Sequence, residues 1–346
     1  DVTTFAVLPE GSPPDHKFFG GHITAGHGVP EAARRLGVTN NRMHNMTQFS
    51  WWLRMQPEPG PITIPNEDLY RRYLELGFEH FAQWNATPSW AARLPDGSVP
   101  PPQLAILADG EMAGTIFKAG SVEETEVMQY TPQSLPYRLL SSPKSVLLLG
   151  ESGGSNVWLA RGYSPGRITV VQKNEALLDL MSGRLEDASG GVLTAPGVNV
   201  EEMVPRLFLE RSGRKHDLIQ FASAEGMPAG TGGLNSLHEN HLLTVESVSR
   251  AFELLEEDGY IAITRGIQTP PRDNIKILAL FAEALRRSGI EDPSDYILQG
   301  RNYLAVTTLI RGSPVTDEVV TAFERECGRL EMDAEYYPGI TPSEGK

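Results

Sequence analysis

The residues best placed to hold a nucleotide-like ligand lie in VLLLGESGGSNVWLARGYSPGRITVVQKNE, residues 146–175. An apolar run leads into Gly150, Gly153 and Gly154, and a predicted helix and a second apolar run follow. Residues without a Cβ let the backbone approach a ligand closely, and the start of a helix favours partial negative charge. The pattern is typical of a βαβ unit that binds a cofactor, although any tight turn from strand to helix also uses glycine.

The second apolar run ends at Gln172, where a cofactor-binding unit commonly presents an acid to a ribose. A carboxylate accepts hydrogen bonds from both ribose hydroxyls, whereas glutamine offers one acceptor oxygen and no charge. Glu175 follows in the next predicted helix and is a poor substitute. The residue types leave two interpretations open, a working cofactor site and a site that has lost its ligand.

The composition excludes some classes of function and leaves the compartment open. The 346 residues carry a net charge of −14, which disfavours a nucleic-acid partner because phosphate binding needs clustered Lys and Arg. No run of about 18 apolar residues occurs, so no transmembrane segment is predicted, and no signal peptide is expected. The single cysteine, Cys327, excludes an internal disulfide and a multi-cysteine metal site.

The elements that must position this segment alternate between strands and helices. Helices are predicted to begin at Thr244, Asp273 and Thr316, and the first two are predicted to end at Gly259 and Gly289. Alternating β and α units predict a mostly parallel sheet covered on both faces. The predicted strands are Val146–Leu149, Ile168–Val171, Asn199–Glu201, Leu218–Phe221, Tyr260–Thr264 and Leu304–Ile310.

Helical spacing also predicts which side chains two of these helices bury. The predicted apolar face of the helix from Thr244 is Val245, Val248, Phe252 and Leu255. The predicted apolar face of the helix from Asp273 is Ile275, Leu278, Ala282 and Leu285.

The chain divides into four predicted segments. Residues 1–100 form an N-terminal extension rich in Trp and Pro, with four of the five Trp, and are a possible docking region. Residues 101–140 form a small β-hairpin unit, with strands at Leu104–Leu107 and Thr115–Phe117 and a turn at Asp109-Gly110. Residues 141–330 form the domain of alternating strands and helices, and residues 331–346 form a C-terminal tail.

The order of several motifs resembles the spermidine/spermine synthase family, and more narrowly the soluble domain of its large, often membrane-associated bacterial members. The resemblance covers residues 101–311. It depends on PPQLAILADGE, SLPYRLLSSPKSVLLLGESGG, HDLIQF, SLHENHLLTVESVSRAF and EEDGYIAITR in that order. It implies a Rossmann-like, S-adenosylmethionine-methyltransferase-type α/β fold, with decarboxylated S-adenosylmethionine as aminopropyl donor and a polyamine as acceptor.

The resemblance also implies a set of site residues, and this sequence departs from it at four places. Glu151 and Ser152 interrupt the glycine loop, and Gln172 replaces the ribose acid. Val204 stands where an acid would hold the adenine, unless Glu202 is shifted into that role. After the fourth strand, the only carboxylate is Glu225, which is the catalytic base if the protein is active.

Other residues carry weaker indications of a site. The hairpin residues Gln103 and Asp109 would close a cofactor pocket from above. His16, His22 and His27 lie in a Gly-rich span, but histidines in such loops are more often incidental than metal ligands, and no metal is predicted.

The sequence therefore predicts a catalytically lapsed, spermidine synthase-like protein that binds no cofactor. It would act as a structural or binding subunit with protein partners in a larger assembly, docked through residues 1–100, and a position at the periphery of a bacterial membrane is one setting. An active aminopropyltransferase or methyltransferase that uses decarboxylated S-adenosylmethionine or S-adenosylmethionine is the first alternative. A small-ligand sensor is the second, and a homo-oligomer remains open.

Overall fold

A computed structural model describes residues 5–7, 101–108, 111–222, 242–266, 272–302 and 305–340. Among these residues, no helix is long and apolar enough to cross a membrane. The strands in chain order are β1 (Phe5–Val7), β2 (Gln103–Ala108), β3 (Glu111–Phe117), β4 (Ser145–Leu149), β5 (Arg167–Gln172), β6 (Val198–Glu202), β7 (His216–Phe221), β8 (Leu255–Gly266), β9 (Ile297–Arg301), β10 (Ala305–Arg311) and β11 (Asp333–Tyr336). The α-helices are α1 (Leu135–Leu140), α2 (Ser155–Arg161), α3 (Glu175–Ser182), α4 (Pro205–Arg211), α5 (Val245–Glu253), α6 (Arg272–Arg287) and α7 (Asp317–Arg329). Three 3₁₀ helices are Glu123–Tyr130, Pro132–Ser134 and Pro293–Tyr296.

The main sheet has eight strands in the order β11-β9-β10-β8-β7-β4-β5-β6. The five strands from β8 to β6 are parallel to their neighbours, and β10, β9 and β11 extend the sheet by antiparallel pairing. The strand order reverses at β4, because β5 lies on one side of it and β7 on the other. This arrangement confirms the predicted Rossmann-like, methyltransferase-type α/β fold.

Strand β4 shows why the sheet is covered on both faces. Its sequence SVLLL is nearly continuous in apolar residues, which is typical of a parallel strand buried on both sides. Val146 and Leu148 join one apolar cluster, and Leu147 and Leu149 join the other. Because successive side chains of a strand point to opposite faces, the two clusters are the two layers of core on either side of the sheet.

The predicted hairpin is confirmed, and it belongs to a separate three-stranded sheet in the order β1-β2-β3. Strands β2 and β3 pair antiparallel, with Gln103 opposite Phe117 and Leu104 opposite Ile116. The predicted turn residues Asp109 and Gly110 lie outside the described residues.

Two predicted helix starts are confirmed by their caps. The hydroxyl of Thr244 accepts a hydrogen bond from the backbone N–H of Ser247, and the hydroxyl of Thr316 accepts one from the N–H of Val319. The predicted end of the first helix at Gly259 is wrong. Helix α5 ends at Glu253, because Leu255 pairs with His216 and begins β8. The pairing with β7 overrides the helix propensity of the LEEDG segment.

The predicted apolar face of α6 is wrong at Ile275 but confirmed at Leu285, and Leu278 and Ala282 are partly buried against the same core. Ile275 is 62% exposed, and the buried side chains are Ile277, Phe281, Ala284 and Leu285. Both sets keep helical spacing, so periodicity alone does not separate them. The observed face buries Phe281, whose large apolar area outweighs what burial of Ile275 would contribute.

Strands β1, β9 and β11 were not predicted. Strand β9 pairs with β10, and β11 pairs with β9 at the edge of the sheet. Strand β11 lies within residues 331–346, which the sequence analysis assigned to a tail. The boundaries of the four predicted segments otherwise stay predictions.

Candidate functional site

The glycine loop, residues 150–154, follows β4 at the point where the strand order reverses. In open α/β sheets this is where a crevice forms at the carboxyl ends of the strands and ligands bind. Gly150 and Gly154 both have a φ of +81°, a conformation that favours glycine. The N–H of Gly150 donates to the backbone oxygen of Val171 at 2.8 Å, so the loop is joined to the neighbouring strand β5.

Two of the predicted cofactor-binding glycines make room for the chain itself. A Cβ on Gly153 would come within 2.2 Å of the backbone oxygen of Thr115 in β3. A Cβ on Gly154 would come within 2.3 Å of Cγ1 of Val192. Strand β3 also approaches the loop at Gly114, where a Cβ would come within 2.1 Å of Oγ of Ser152. The close approach that glycine permits at these positions is therefore used for internal packing.

The carboxylate of Glu151 lies inside the loop and is bound by it. Its Oε1 accepts hydrogen bonds from the backbone N–H groups of Ser152 at 3.0 Å and Gly154 at 2.8 Å. Its Oε2 accepts from the backbone N–H of Asn156 at 3.3 Å and from Nδ2 of the same residue at 2.6 Å. A carboxylate has about four acceptor positions, and all of them are in use.

Burial has the largest effect on the pKa of Glu151. The side chain is only 3% exposed, and this desolvation raises the pKa of the carboxyl above its ordinary value. The hydrogen bonds from Asn156, Gly154 and Ser152 lower the pKa and partly oppose that rise. The loop thus binds a carboxylate of its own chain with the backbone donors that would otherwise face a ligand.

A buried chain of hydrogen bonds extends from Glu151 across the sheet. Oδ1 of Asn156 accepts from Nε2 of Gln220 at 2.9 Å, and Oε1 of Gln220 accepts from the hydroxyl of Tyr137 at 2.9 Å. Burial, and then the nearby Glu151, raise the pKa of Tyr137 well above its ordinary value. This network was not predicted from the sequence. The only local signal was polar Gln220 inside the apolar strand HDLIQF.

Gln172 is also engaged by its own chain. Its Nε2 donates to the backbone oxygen of Glu151 at 2.7 Å, and its Oε1 accepts from the backbone N–H of Asn174 at 3.0 Å. The side chain is buried at the end of β5. The structure therefore brings Gln172 together with the glycine loop, as predicted, and shows both ends of the amide satisfied within the protein.

Strand β6, the neighbour of β5, carries a carboxylate opposite Gln172. Glu202 is in register with Gln172 in the β5–β6 pair and is exposed. Val204, which stands in the predicted position of the adenine acid, is 46% exposed and precedes α4. A valine side chain offers no acceptor there, whereas Glu202 is an exposed carboxylate at this edge.

The remaining predicted site residues are Gln103, Asp109 and Glu225. Gln103 lies in β2 and is half-buried, and its Oε1 has no hydrogen-bond partner among the described residues. Strand β3 contacts the glycine loop through Gly114 and Thr115. Asp109, Glu225 and the predicted histidine cluster at 16–27 lie outside the described residues. Within the part of the chain that is described, no group of three His, Cys, Asp or Glu side chains could hold a metal ion.

The sheet, its switch point and the glycine loop together define an α/β protein of the Rossmann-like, methyltransferase-type class. No protein-family model matches the chain, and no curated protein matches it. The spermidine synthase from Thermotoga maritima is similar at 17% identity over 68% of this chain and 73% of that chain, with a TM-score of 0.42. A probable spermidine synthase from Corynebacterium glutamicum is similar at 15% identity over 74% and 95% of the two chains, with a TM-score of 0.45. Human methyltransferase-like protein 13, solved in complex with SAH, is similar at 10% identity over 60% and 90%, with a TM-score of 0.37.

Proposed function

We propose that this chain is a catalytically lapsed, spermidine synthase-like protein that serves as a structural or binding subunit of a larger assembly. The order of the sequence motifs supports the spermidine synthase-like part of the proposal. The glycine loop supports the loss of catalysis.

The observation that carries the proposal is the position of the Glu151 carboxylate. The backbone N–H groups of Ser152, Gly154 and Asn156 are donors that the loop could offer a ligand, and all three point at Glu151. A ligand that used them would have to displace a carboxylate that accepts four hydrogen bonds. Hydrogen bonds to charged groups contribute about 1.5–3 kcal/mol each, so displacement would cancel much of the binding free energy of an adenosine-type molecule.

Gln172 gives further support. A ribose would need an acceptor at this position, and Oε1 of Gln172 already accepts the N–H of Asn174. Its Nε2 is directed to the oxygen of Glu151 and fixes the loop against β5. The amide therefore has a structural role that a ribose would disrupt.

Glu202 favours the first alternative, an active aminopropyltransferase or methyltransferase. It is exposed beside Gln172, so its carboxylate could accept ribose hydroxyls in place of the missing acid. In that case Gly150, Gly153, Gln172 and Glu225 would form the site, with Gln103 and Asp109 from the hairpin. A ligand would have to enter while Glu151 moves out of the loop.

Isothermal titration separates the possibilities. The full chain is titrated with S-adenosylmethionine, decarboxylated S-adenosylmethionine and methylthioadenosine, and an active spermidine synthase serves as the positive control. We expect no micromolar binding. Micromolar binding followed by aminopropyl transfer to putrescine would establish the enzyme and refute the proposal. Micromolar binding without turnover, abolished by Glu202→Gln, would establish a sensor instead.

The structural role has its own test. An affinity-tagged full chain is compared with a variant in which a flexible linker replaces residues 8–100, so that β1 can still pair with β2. We expect the full chain to co-purify with defined partners at fixed stoichiometry and the variant to lose them. Partners retained by the variant would contradict docking through the N-terminal extension.

A further inference from the structure

A polar groove lies on one face of the main sheet, away from the glycine loop. It encloses about 680 Å³ between β5, β6, α4 and the start of β7. Arg167 lines it and is the first residue of β5, whereas Gln172 beside the glycine loop is the last. At about 3.3 Å per residue the two positions are about 16 Å apart along the strand. The groove is therefore separate from the candidate cofactor site.

Two arginines give the groove its charge. Arg167 and Arg214 both line it and are both exposed. Neither guanidinium is in an ion pair or hydrogen bond with another described residue, whereas most other arginines of the sheet domain, such as Arg250 and Arg311, have such partners. A guanidinium is always charged and binds phosphate or carboxylate through two parallel hydrogen bonds. Two guanidinium groups without a partner among the described residues, at one groove, favour an anionic ligand.

His216 adds a buried polar group to the same groove. It is only 1% exposed, and neither ring nitrogen has a hydrogen-bond partner in the described part of the chain. Buried polar atoms are nearly always hydrogen-bonded, so an unpartnered imidazole in the wall of a cavity indicates a missing partner. Burial, followed by the charge of Arg214, lowers the pKa of His216 to about 4, and Asp217 only partly opposes this. The ring is neutral near pH 7 and offers one N–H donor and one acceptor.

The rest of the lining indicates the kind of molecule that carries the anion. Phe208 gives one apolar, aromatic wall, and Thr169 and Glu201 give a hydroxyl and a carboxylate. An aromatic wall stacks against a planar ring, and a carboxylate accepts hydrogen bonds from hydroxyl groups. A volume of about 680 Å³ lies within the usual range for small-molecule sites.

We propose that this groove is a binding site for a small phosphomonoester with a planar ring and hydroxyl groups, of the size of a nucleoside monophosphate. Arg167 and Arg214 bind the phosphate, Phe208 stacks on the ring, and Glu201 accepts a hydroxyl. His216 forms part of the buried wall of the groove.

Titration calorimetry with the full chain tests the site, using uridine 5′-monophosphate, uridine and inorganic phosphate as probes. None of them contains adenine, which removes one part of what the candidate cofactor site would recognise. We expect the monophosphate to bind, and uridine to bind at least about tenfold more weakly, because it lacks the charge-assisted hydrogen bonds. Equal affinity for uridine and its monophosphate, or no binding of any probe, would overturn the proposal.

Matched variants locate the binding. Arg167→Gln and Arg214→Gln should each lower the affinity for the monophosphate by about tenfold or more. Arg184→Gln removes the same charge from an exposed position outside the groove and should leave affinity unchanged. Because the substituted arginines are exposed, all three variants should keep the wild-type circular dichroism spectrum. Equal losses in the three variants would show a general charge effect and would contradict the site.

Two further readouts distinguish this site from surface binding. The imidazole resonances of His216, assigned by their absence in His216→Gln, should shift when the monophosphate is added. If the monophosphate binds without moving them, the groove is not the site.

Vesicles of phosphatidylcholine with and without phosphatidic acid should not co-sediment the chain differently. Co-sedimentation that depends on phosphatidic acid and on both arginines would replace a soluble ligand with a lipid headgroup and overturn the proposal as stated.

Discussion

Nε2 of Gln172 donates a hydrogen bond of 2.7 Å to the backbone oxygen of Glu151. Gln172, which replaces the expected ribose acid, is thus hydrogen-bonded to Glu151, which interrupts the glycine loop. The two departures from the motif pattern are therefore one structural unit: the carboxylate of Glu151 satisfies the loop from within, and the amide of Gln172 holds the loop against β5.

Removal of the Glu151 carboxylate should destabilise the protein. Glu151→Ala leaves the buried donors of Ser152, Gly154 and Asn156 without an acceptor, and we expect the free energy of unfolding to fall by about 2–4 kcal/mol in urea titrations. The matched change Glu202→Ala, at an exposed position, should alter it by less than about 0.5 kcal/mol. Wild-type stability in Glu151→Ala would show that the internal carboxylate does not support the loop.

Restoration of the expected acid should not restore ligand binding. Gln172→Glu replaces a donor with a carboxylate directed at the oxygen of Glu151, and we expect a loss of about 1–3 kcal/mol in unfolding free energy and no gain in calorimetric affinity for S-adenosylmethionine. The control is Glu175→Gln, which replaces an acid with an amide at a nearby exposed position. It should lower the free energy of unfolding by less than about 1 kcal/mol. Micromolar binding gained by Gln172→Glu would mean that the pocket is otherwise intact and would favour the enzyme.

Gly153 should not tolerate a methyl group. In Gly153→Ala the new Cβ meets the backbone oxygen of Thr115 at 2.2 Å, so the loop or β3 must move, and such overpacking costs about 1–3 kcal/mol. Gly328→Ala is the control, because Gly328 lies in α7 with nothing within 4 Å of a new Cβ. Alanine has the higher helix propensity, so this variant should gain about 0.5–1 kcal/mol. Thermal or urea unfolding measures the free energy of unfolding of both variants. Equal values for Gly153→Ala and Gly328→Ala would contradict the packing of the hairpin on the loop.

His216 should make stability depend on pH below neutrality. Its pKa is lowered in the folded protein from 6.5 to about 4, so between these values the unfolded chain binds more protons. Stability is fully present above pH 6.5 and falls as the pH drops toward 4, by about 3 kcal/mol in all. His216→Gln should flatten this part of the profile, and an NMR titration of the imidazole in the wild type gives the pKa directly. A ring that titrates near 6.5 in the folded protein would refute the prediction.

Much of the fold was predictable because its signals are local. The apolar runs at β4, β5 and β7, the caps at Thr244 and Thr316, and the glycines at Gly150 and Gly154 each depend on residues within a few positions of one another. The candidate site was predicted in part for the same reason, since Gln172 follows directly from the end of an apolar run. The binding of the Glu151 carboxylate by the N–H groups of the loop was not predictable, because the sequence does not indicate where a glutamate beside glycines directs its carboxylate.

The sequence by itself determined the alternation of strands and helices, the class of fold and the position of the glycine loop, because periodicity and capping are properties of neighbouring residues. Only the tertiary structure decided that β8 begins at Leu255, that α6 buries Phe281 instead of Ile275, and that residues 333–336 join the sheet. It also decided the network around Glu151, where Tyr137 and Gln220 are 83 residues apart in the chain. These features depend on partners distant in sequence, and a competing local preference gives way when burial and strand pairing stabilise the other arrangement more strongly.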